Sequence, residues 1–167
     1  MPLELVIVRH AIAFERDARR WPDDAERPLS PQGVARALKA AAGMRQLVLR
    51  PARVLMSPLL RARQTAAILT EIAAWPRPCE CAELAPGVAP EALLALLRRL
   101  PDKRIAVVGH EPGLSRLLAA ALAGNPAAQA FRFRKMGAAL LTFPGSAREG
   151  AARLEWLLPA KALRAAR

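Results

Sequence analysis

Short apolar runs alternate with helical segments through most of the chain, and each run has the length of one buried strand. The runs cover residues 3–8, 53–57 and 105–109, and short apolar stretches of this kind are typical of buried strands. Serine followed by proline, at 30–31 and again at 57–58, predicts the start of a helix, because serine caps free N–H groups and proline suits the first helical position. This alternation predicts an α/β domain with a mostly parallel sheet.

Two further strands, at residues 138–143 and 153–158, follow each other without a helix between them. The turn that joins them suits an antiparallel edge strand on the sheet. A length of 167 residues allows one domain, or two at most. We therefore expect a single domain over residues 1–159, followed by a short basic C-terminal tail at 160–167 that frays.

The chain carries a formal net charge of +12, from 26 lysine and arginine residues against 14 acidic ones. Only four of the cations are lysines and the other 22 are arginines, scattered along an alanine-rich chain. Such a charge favours anionic partners. The sequence has neither zinc-ligand spacing nor an RNA-recognition motif, so we expect no nucleic-acid partner. A basic nucleic-acid-binding module is a remote alternative, which predicts binding with a steep salt dependence.

Membrane and secretion signals are missing from the sequence. The longest apolar stretches, such as 117–123, fall well short of the roughly 20 residues that span a bilayer. The first eight residues lack a basic region and run directly into Arg9, unlike a signal peptide. Cys79 and Cys81 are too close for an unstrained bridge and are interpreted as reduced thiols. We expect a cytoplasmic protein with no membrane partner.

The two histidines occupy equivalent positions in the predicted fold. His10 directly follows the strand at 3–8, and His110 directly follows the strand at 105–109. Ligands bind at the carboxyl ends of strands in open α/β sheets. One such histidine alone would be interpreted as a packed loop residue. Two histidines at matching strand ends indicate a functional site instead.

Two arginines belong to the same predicted sheet edge. Arg9 precedes His10, and Arg61 lies in the first turn of the helix that follows the strand at 53–57. A helix start offers free N–H groups and a positive dipole end to an anion. The guanidinium group of arginine donates bidentate hydrogen bonds to phosphate oxygens. Any one of 22 arginines would ordinarily be a surface residue. Their position at strand ends singles out Arg9 and Arg61, and the set with His10 and His110 predicts a phosphoryl-binding pocket.

Four segments of the chain resemble the signature blocks of the histidine phosphatase (phosphoglycerate mutase-like) superfamily, in the family's order and spacing. The resemblance covers about residues 3–145 and is closest to the short SixA branch, the phosphohistidine phosphatases. In one block Ala11 stands where the general signature has glycine. The four blocks are Val8-Arg9-His10-Ala11-Ile12-Ala13, Glu26-Arg27-Pro28-Leu29-Ser30-Pro31-Gln32-Gly33, Ser57-Pro58-Leu59-Leu60-Arg61-Ala62-Arg63-Gln64-Thr65-Ala66 and Val108-Gly109-His110-Glu111-Pro112.

The resemblance implies a three-layer α/β/α sandwich and assigns roles to the pocket residues. His10 is expected to be the nucleophile that forms a phosphohistidine, kept neutral by nearby arginine charges. Arg9, Arg61 and His110 are expected to bind the phosphoryl oxygens and to stabilise the transition state. Because these groups supply the positive charge, we expect no metal and no cofactor.

Two further residues are candidates with open alternatives. Family members that cleave phosphoesters use a glutamate after the third strand, and Glu83 lies at about that place as a candidate general acid. An exposed loop residue is the other interpretation of Glu83. Arg27 is a candidate contact to phosphate or substrate, and a surface arginine is the alternative. A phosphohistidine substrate has a good leaving group once its imidazole is protonated, so a dedicated general acid is dispensable for this substrate.

The resemblance and the pocket lead to two hypotheses about the substrate. The first is a phosphatase that removes phosphate from phosphohistidine in a protein, such as a histidine phosphotransfer domain. The second is a small-molecule phosphomonoesterase that acts on a sugar phosphate or a nucleotide. The expected partner is thus a phosphorylated protein or a small phosphorylated substrate, and we expect the phosphatase itself to be a monomer.

Overall fold

A six-stranded mixed sheet forms the centre of the computed structural model, which describes residues 1–125 and 130–166. The strands lie in the order β3-β2-β4-β1-β5-β6. Short 3₁₀ helices occur at Asp24–Glu26 and Ala82–Leu84. The other elements are β1 (Leu3–Arg9), α1 (Pro31–Leu47), β2 (Arg53–Met56), α2 (Leu60–Ile72), β3 (Cys79–Glu80), α3 (Pro90–Arg99), β4 (Arg104–Gly109), α4 (Gly113–Ala123), β5 (Ala138–Phe143), β6 (Arg153–Leu158) and α5 (Ala160–Ala165).

The first four strands of the sheet are parallel, as the alternation predicts. β1 pairs with β4, and β2 pairs with both β4 and β3. β5 runs antiparallel to β1, and β6 runs antiparallel to β5 and takes the outer edge. In the central pair Arg9 lies opposite Gly109, so that β1 and β4 end at the same level. The two residues that follow these strands, His10 and His110, therefore leave the sheet side by side.

Two apolar cores cover the faces of the sheet and make the three-layer α/β/α sandwich. Alternate residues of β1 point to opposite sides, Leu5 and Ile7 into one core and Val6 and Val8 into the other. The first core is completed by leucines of α3 and α4, and the second by small residues of α1 and α2 together with Leu163 of α5. Burial on both faces explains why the central strands are continuous apolar runs.

The two serine–proline pairs differ in their outcome. Ser30 caps α1 as predicted, since its hydroxyl oxygen accepts from the Gly33 N–H at 3.0 Å. The pair at 57–58 does not cap α2, which begins at Leu60 and has no side-chain cap. The prediction of a second serine cap is wrong, because the Ser57 hydroxyl is buried against His110 instead.

The C-terminal residues also differ from the prediction of a fraying tail. Residues 160–165 form α5, and Leu163 is fully buried. α5 packs closely on α1, where a Cβ added to Gly43 would overlap the carbonyl oxygen of Leu163. This contact explains why so short a segment is ordered. Arg167, the last residue of the predicted tail, lies outside the described residues.

Across residues 1–125 and 130–166, none of the helices combines the length and the apolar character that crossing a membrane requires.

Candidate active site

A cleft of about 430 Å³ opens at the carboxyl ends of β1, β2 and β4, where the sequence predicts the pocket. Cationic side chains dominate its walls, with Asp24 and Glu111 as the acidic residues among those described. The structure brings together five of the predicted site residues in this cleft: Arg9, His10, Arg27, Arg61 and His110.

His10 is held in one orientation by its own loop. The residue is 6% exposed, and its Nδ1–H donates to the carbonyl oxygen of Ala11 at 2.6 Å. Because a carbonyl can only accept, this bond places the proton on Nδ1 and leaves the lone pair of the neutral ring on Nε2. The backbone at Ala11 stays out of the left-handed region, so alanine fits where the family signature has glycine. The loop thus presents an imidazole with a free nucleophilic nitrogen.

The environment keeps His10 unprotonated at neutral pH. Burial, followed by the charge of His110, lowers the pKa of His10 to about 3, and Arg61 and Arg9 act in the same direction. The hydrogen bond to the Ala11 carbonyl opposes this shift. A neutral imidazole is the form that can attack phosphorus.

His110 faces His10 across the cleft and has a buried partner of its own. The two ring centroids are 5.1 Å apart, and Nε2 of His110 lies 2.6 Å from the hydroxyl oxygen of Ser57. Burial, followed by the charges of Arg61 and Arg9, lowers the pKa of His110 to about 4. Ser57 is fully buried. Ser57 therefore fixes the orientation of His110, whereas the sequence predicts that Ser57 caps a helix.

The guanidinium groups of Arg9 and Arg61 are anchored by backbone carbonyls. Arg9 Nη1 donates to the carbonyl oxygen of Phe133 at 2.7 Å, and Arg61 Nη1 donates to that of Asp24 at 2.8 Å. In both residues Nε is buried with no hydrogen-bond partner in the described part of the chain. Burial is the main cause that lowers the pKa of each arginine from its ordinary value. Both side chains are thus held in place with donors to spare for an anion.

Asp24 links the arginines of the cleft, and sequence reasoning missed it. Its carboxylate pairs with Arg27 at 2.7 Å, with Arg61 at 3.2 Å and with the exposed Arg16 at 3.3 Å. The hydrogen bond from Arg27 is the main cause that lowers the pKa of Asp24 to about 2. Arg27 also donates to the Phe14 carbonyl oxygen at 2.6 Å. Asp24 stands in a polar segment just before the block at 26–33 and outside it, and its contact with Arg61 forms only when this segment folds over α2.

Thr65 ties the loop of His10 to the helix of Arg61. Its hydroxyl donates to the Arg61 carbonyl oxygen at 2.7 Å and accepts from the Ala11 N–H at 3.0 Å. The His10 N–H donates to the Gly109 carbonyl, and the His10 carbonyl accepts from the Met136 N–H. The backbone of the nucleophile candidate is therefore fixed by α2, by β4 and by the segment before β5.

Glu83 does not line the cleft. It borders a smaller cavity whose described lining has His110 alone in common with that of the cleft, and its carboxylate accepts from the Cys81 thiol at 3.3 Å. Glu111 lies closer to the site, but its carboxylate accepts from the backbone N–H groups of Ser115 and Phe133. Glu111 thus anchors the backbone of Phe133, the residue whose carbonyl oxygen accepts from Arg9.

Lys135 is a further cation of the cleft that sequence reasoning did not select. It is half-buried at the rim, and burial, followed by the charges of Arg9 and Arg27, lowers its pKa. Its one sequence signal is its place in a dense cationic stretch, residues 131–135, which is otherwise interpreted as an edge strand or a loop over the core.

Known proteins match this chain in sequence and in fold. The model of the histidine phosphatase superfamily, branch 1, matches residues 5–85. An uncharacterized protein of Picosynechococcus sp. is 36% identical over 174 residues, which cover 94% of this chain and 100% of that protein.

Two solved structures illustrate the range of proteins that share the fold. The protein histidine phosphatase SixA, complexed with tungstate, superposes with a TM-score of 0.83 at 24% identity, covering 96% of this chain and 99% of that one. Mycobacterial glucosyl-3-phosphoglycerate phosphatase superposes with a TM-score of 0.67 at 19% identity, covering 95% and 100%. By the family model and by a relative matched along its whole length, this chain belongs to the histidine phosphatase superfamily, and its fold is of the SixA type.

Proposed function

We propose that this histidine phosphatase superfamily hydrolase removes phosphate from phosphohistidine in a protein, through a phosphohistidine intermediate on His10. The observation that carries the proposal is the buried, neutral His10, whose proton is held on Nδ1 by the Ala11 carbonyl while Nε2 is free. It lies among arginines whose buried Nε groups lack partners in the described part of the chain. This combination suits a nucleophile that must accept a phosphoryl group.

The reaction proceeds in two displacements at phosphorus. Nε2 of His10 attacks in line, the new N–P bond forms, and the P–N bond of the substrate breaks. The substrate imidazole, protonated on its other nitrogen, departs as a neutral ring. Water then attacks phosphorus on His10, inorganic phosphate leaves, and one proton passes to solvent. Arg9, Arg61 and His110 bind the phosphoryl oxygens and stabilise the charge that they carry in each transition state.

The position of Glu83 favours phosphohistidine over a phosphoester as the substrate. An alkoxide leaving group depends on a general acid, whereas a protonated imidazole does not. Glu83 lies outside the cleft, and Glu111 is occupied with backbone N–H groups. The small-molecule phosphomonoesterase is the second candidate, favoured by the similar fold of the glucosyl-3-phosphoglycerate phosphatase.

A panel of phosphodonors tests the proposal. Free phosphohistidine, a phosphorylated histidine phosphotransfer domain and a set of phosphoesters are offered to the wild-type protein and to His10→Ala. We expect turnover of the two phosphohistidine donors and phosphate trapped on His10, detected by mass spectrometry under alkaline conditions. Arg77→Ala, an exposed cation before β3, is the matched control and keeps wild-type rates.

The two levels of the proposal fail in different ways. Turnover confined to phosphoesters would overturn the substrate and leave the nucleophile standing. Full activity of His10→Ala would overturn the mechanism for either substrate.

A further inference from the structure

Another cavity, of about 140 Å³ and distinct from the one that Glu83 borders, lies beside the cleft and is surrounded by cations. α1, the segment before β5, and α5 meet there. Five basic side chains from these elements border the cavity. One of them, Lys135, also lines the cleft, and we name the other four the basic face: Arg36, Arg134, Lys161 and Arg164. Acidic side chains are missing from its described lining.

The charges of the basic face are uncompensated within the described chain. None of its four residues forms an ion pair with a described carboxylate, whereas Arg27 and Arg61 in the cleft both pair with Asp24. Like charges held together without counter-charges oppose folding and attract anions from solution. The basic face therefore suits an anionic partner better than a purely structural role.

Lys135 makes the basic face continuous with the cleft. Its side chain lines both cavities, and after burial the charges of Arg9, Arg27 and Arg61 contribute to lowering its pKa. A molecule whose phosphoryl group reaches His10 can thus extend over Lys135 onto α1 and α5. α5 holds its part of the basic face firmly, because Leu163 is buried against Gly43.

We propose that the basic face docks an acidic segment of the phosphorylated protein substrate, next to the phosphohistidine that enters the cleft. This inference rests on the proposed function and adds the kind of surface that the substrate presents. Carboxylates on that surface fit unpaired guanidinium and ammonium groups. The described lining of the cavity has no aromatic side chain on which a base could stack, so a protein fits better than a single-stranded nucleic acid.

The test compares charge reversal on the basic face with the same reversal elsewhere. In the first double variant, Arg36→Glu with Lys161→Glu, both side chains are exposed, and a glutamate in the first turn of α5 suits the helix dipole. In the matched control, Arg77→Glu with Lys103→Glu, two exposed cations before β3 and β4 lie at the opposite edge of the sheet. Both variants change the net charge equally.

The substrates are a phosphorylated histidine phosphotransfer domain of net negative charge and free phosphohistidine, each at low and high ionic strength. At low salt we expect kcat/KM for the phosphoprotein to fall about tenfold in the first variant, because electrostatic steering acts on association. The loss should shrink at high salt, where surface charges are screened. Turnover of free phosphohistidine should match the wild type in both double variants.

The remaining outcomes separate this inference from the proposed function. Equal losses in both double variants would show an effect of net charge alone and overturn the basic face as a docking surface. An equal loss on free phosphohistidine would place these residues in catalysis and overturn it too. A wild-type protein that turns over neither phosphohistidine donor would refute the proposed function itself. If the basic-face double variant lost binding to a labelled oligonucleotide but kept its turnover of the phosphoprotein, the surface would be a nucleic-acid site and the docking proposal would be overturned.

Discussion

Each histidine of the cleft has one ring nitrogen within hydrogen-bond distance of an oxygen atom of a neighbouring residue. Ala11 accepts from Nδ1 of His10, and Ser57 lies against Nε2 of His110. Fixing one nitrogen of an imidazole determines what the other can do. Two residues of the same type thus differ in role through their neighbours, His10 as the nucleophile candidate and His110 as a phosphoryl-binding candidate.

Asp24 competes with phosphate for the arginines of the cleft, and Asp24→Asn should therefore bind phosphate more tightly. The change removes the carboxylate charge from Arg27 and Arg61 and keeps the backbone carbonyl that anchors Arg61. We expect the dissociation constant of inorganic phosphate, measured by calorimetry, to fall by about threefold or more, since an opposing charge close to the ligand is lost.

Asp23→Asn is the matched control for this experiment. The Asp23 carboxylate is exposed and accepts from the Ala25 N–H, and it is not paired with the cleft arginines. Phosphate affinity should not change in that variant. Weaker phosphate binding in Asp24→Asn would instead show that the carboxylate is needed to position Arg61.

The sequence predicts those parts of the site in which a functional side chain directly follows a predicted strand. His10, His110 and Arg9 adjoin apolar runs that have few alternatives to a buried strand, so their meeting could be inferred. Asp24 could not be placed in this way, because it follows no strand and its contact with Arg61 joins distant parts of the chain. Ser57 does follow a strand, but the serine–proline pair indicates a helix cap and not the contact with His110. Such contacts depend on how loops close over the sheet, and a local pattern does not record this.

At the scale of elements, α5 shows how tertiary packing overrides a local signal. Six residues without a side-chain cap make a helix that is unstable alone, and the sequence therefore predicts a fraying tail. Burial of Leu163 against α1 supplies the missing stability. The close approach requires Gly43, where any side chain would meet the Leu163 backbone.

Gly43→Ala should destabilise the protein even though alanine favours a helix. The added Cβ would overlap the Leu163 carbonyl oxygen, so α5 has to move off α1. We expect the free energy of unfolding to fall by about 1–3 kcal/mol, as for other overpacked cores. Urea unfolding monitored by circular dichroism measures the change.

Gly113→Ala gives the opposite sign and serves as the control. Gly113 also lies in a helix, α4, but a Cβ there meets no atom within 4 Å. A gain of about 0.5–1 kcal/mol is expected, because alanine loses less backbone entropy than glycine. Equal stabilisation of both variants would show that the contact between α1 and α5 tolerates a side chain.

At the scale of the whole molecule, the excess positive charge has two different surroundings. In the cleft, Asp24 pairs with Arg27 and Arg61 at the carboxyl edge of the sheet. Over α1 and α5 the cations of the basic face have no described carboxylate partner. The net charge of +12 alone identifies neither place. The fold distinguishes the two groups, because it determines which cations lie around His10 and which form the basic face.

The stability of the whole molecule should depend on pH through its two histidines. In the folded state the pKa values of His10 and His110 are about 3 and about 4, against an ordinary value of 6.5 in the unfolded chain. Below about pH 6.5 the two histidines bind protons in the unfolded state but stay neutral in the folded state, so the free energy of unfolding falls as the pH falls. Between about pH 6 and pH 4 each histidine contributes a slope of up to about 1.4 kcal/mol per pH unit.

Urea unfolding at a series of pH values measures this slope, and histidine replacements assign it. Asp24 contributes in a separate window, since its folded pKa of about 2 makes stability fall only below about pH 4. His10→Gln should remove about half of the slope between pH 6 and pH 4, because glutamine does not titrate. The chain has only two histidines, so His10→Gln with His110→Gln should remove the rest. A double variant that keeps the full slope would show that neither histidine is held neutral by the fold.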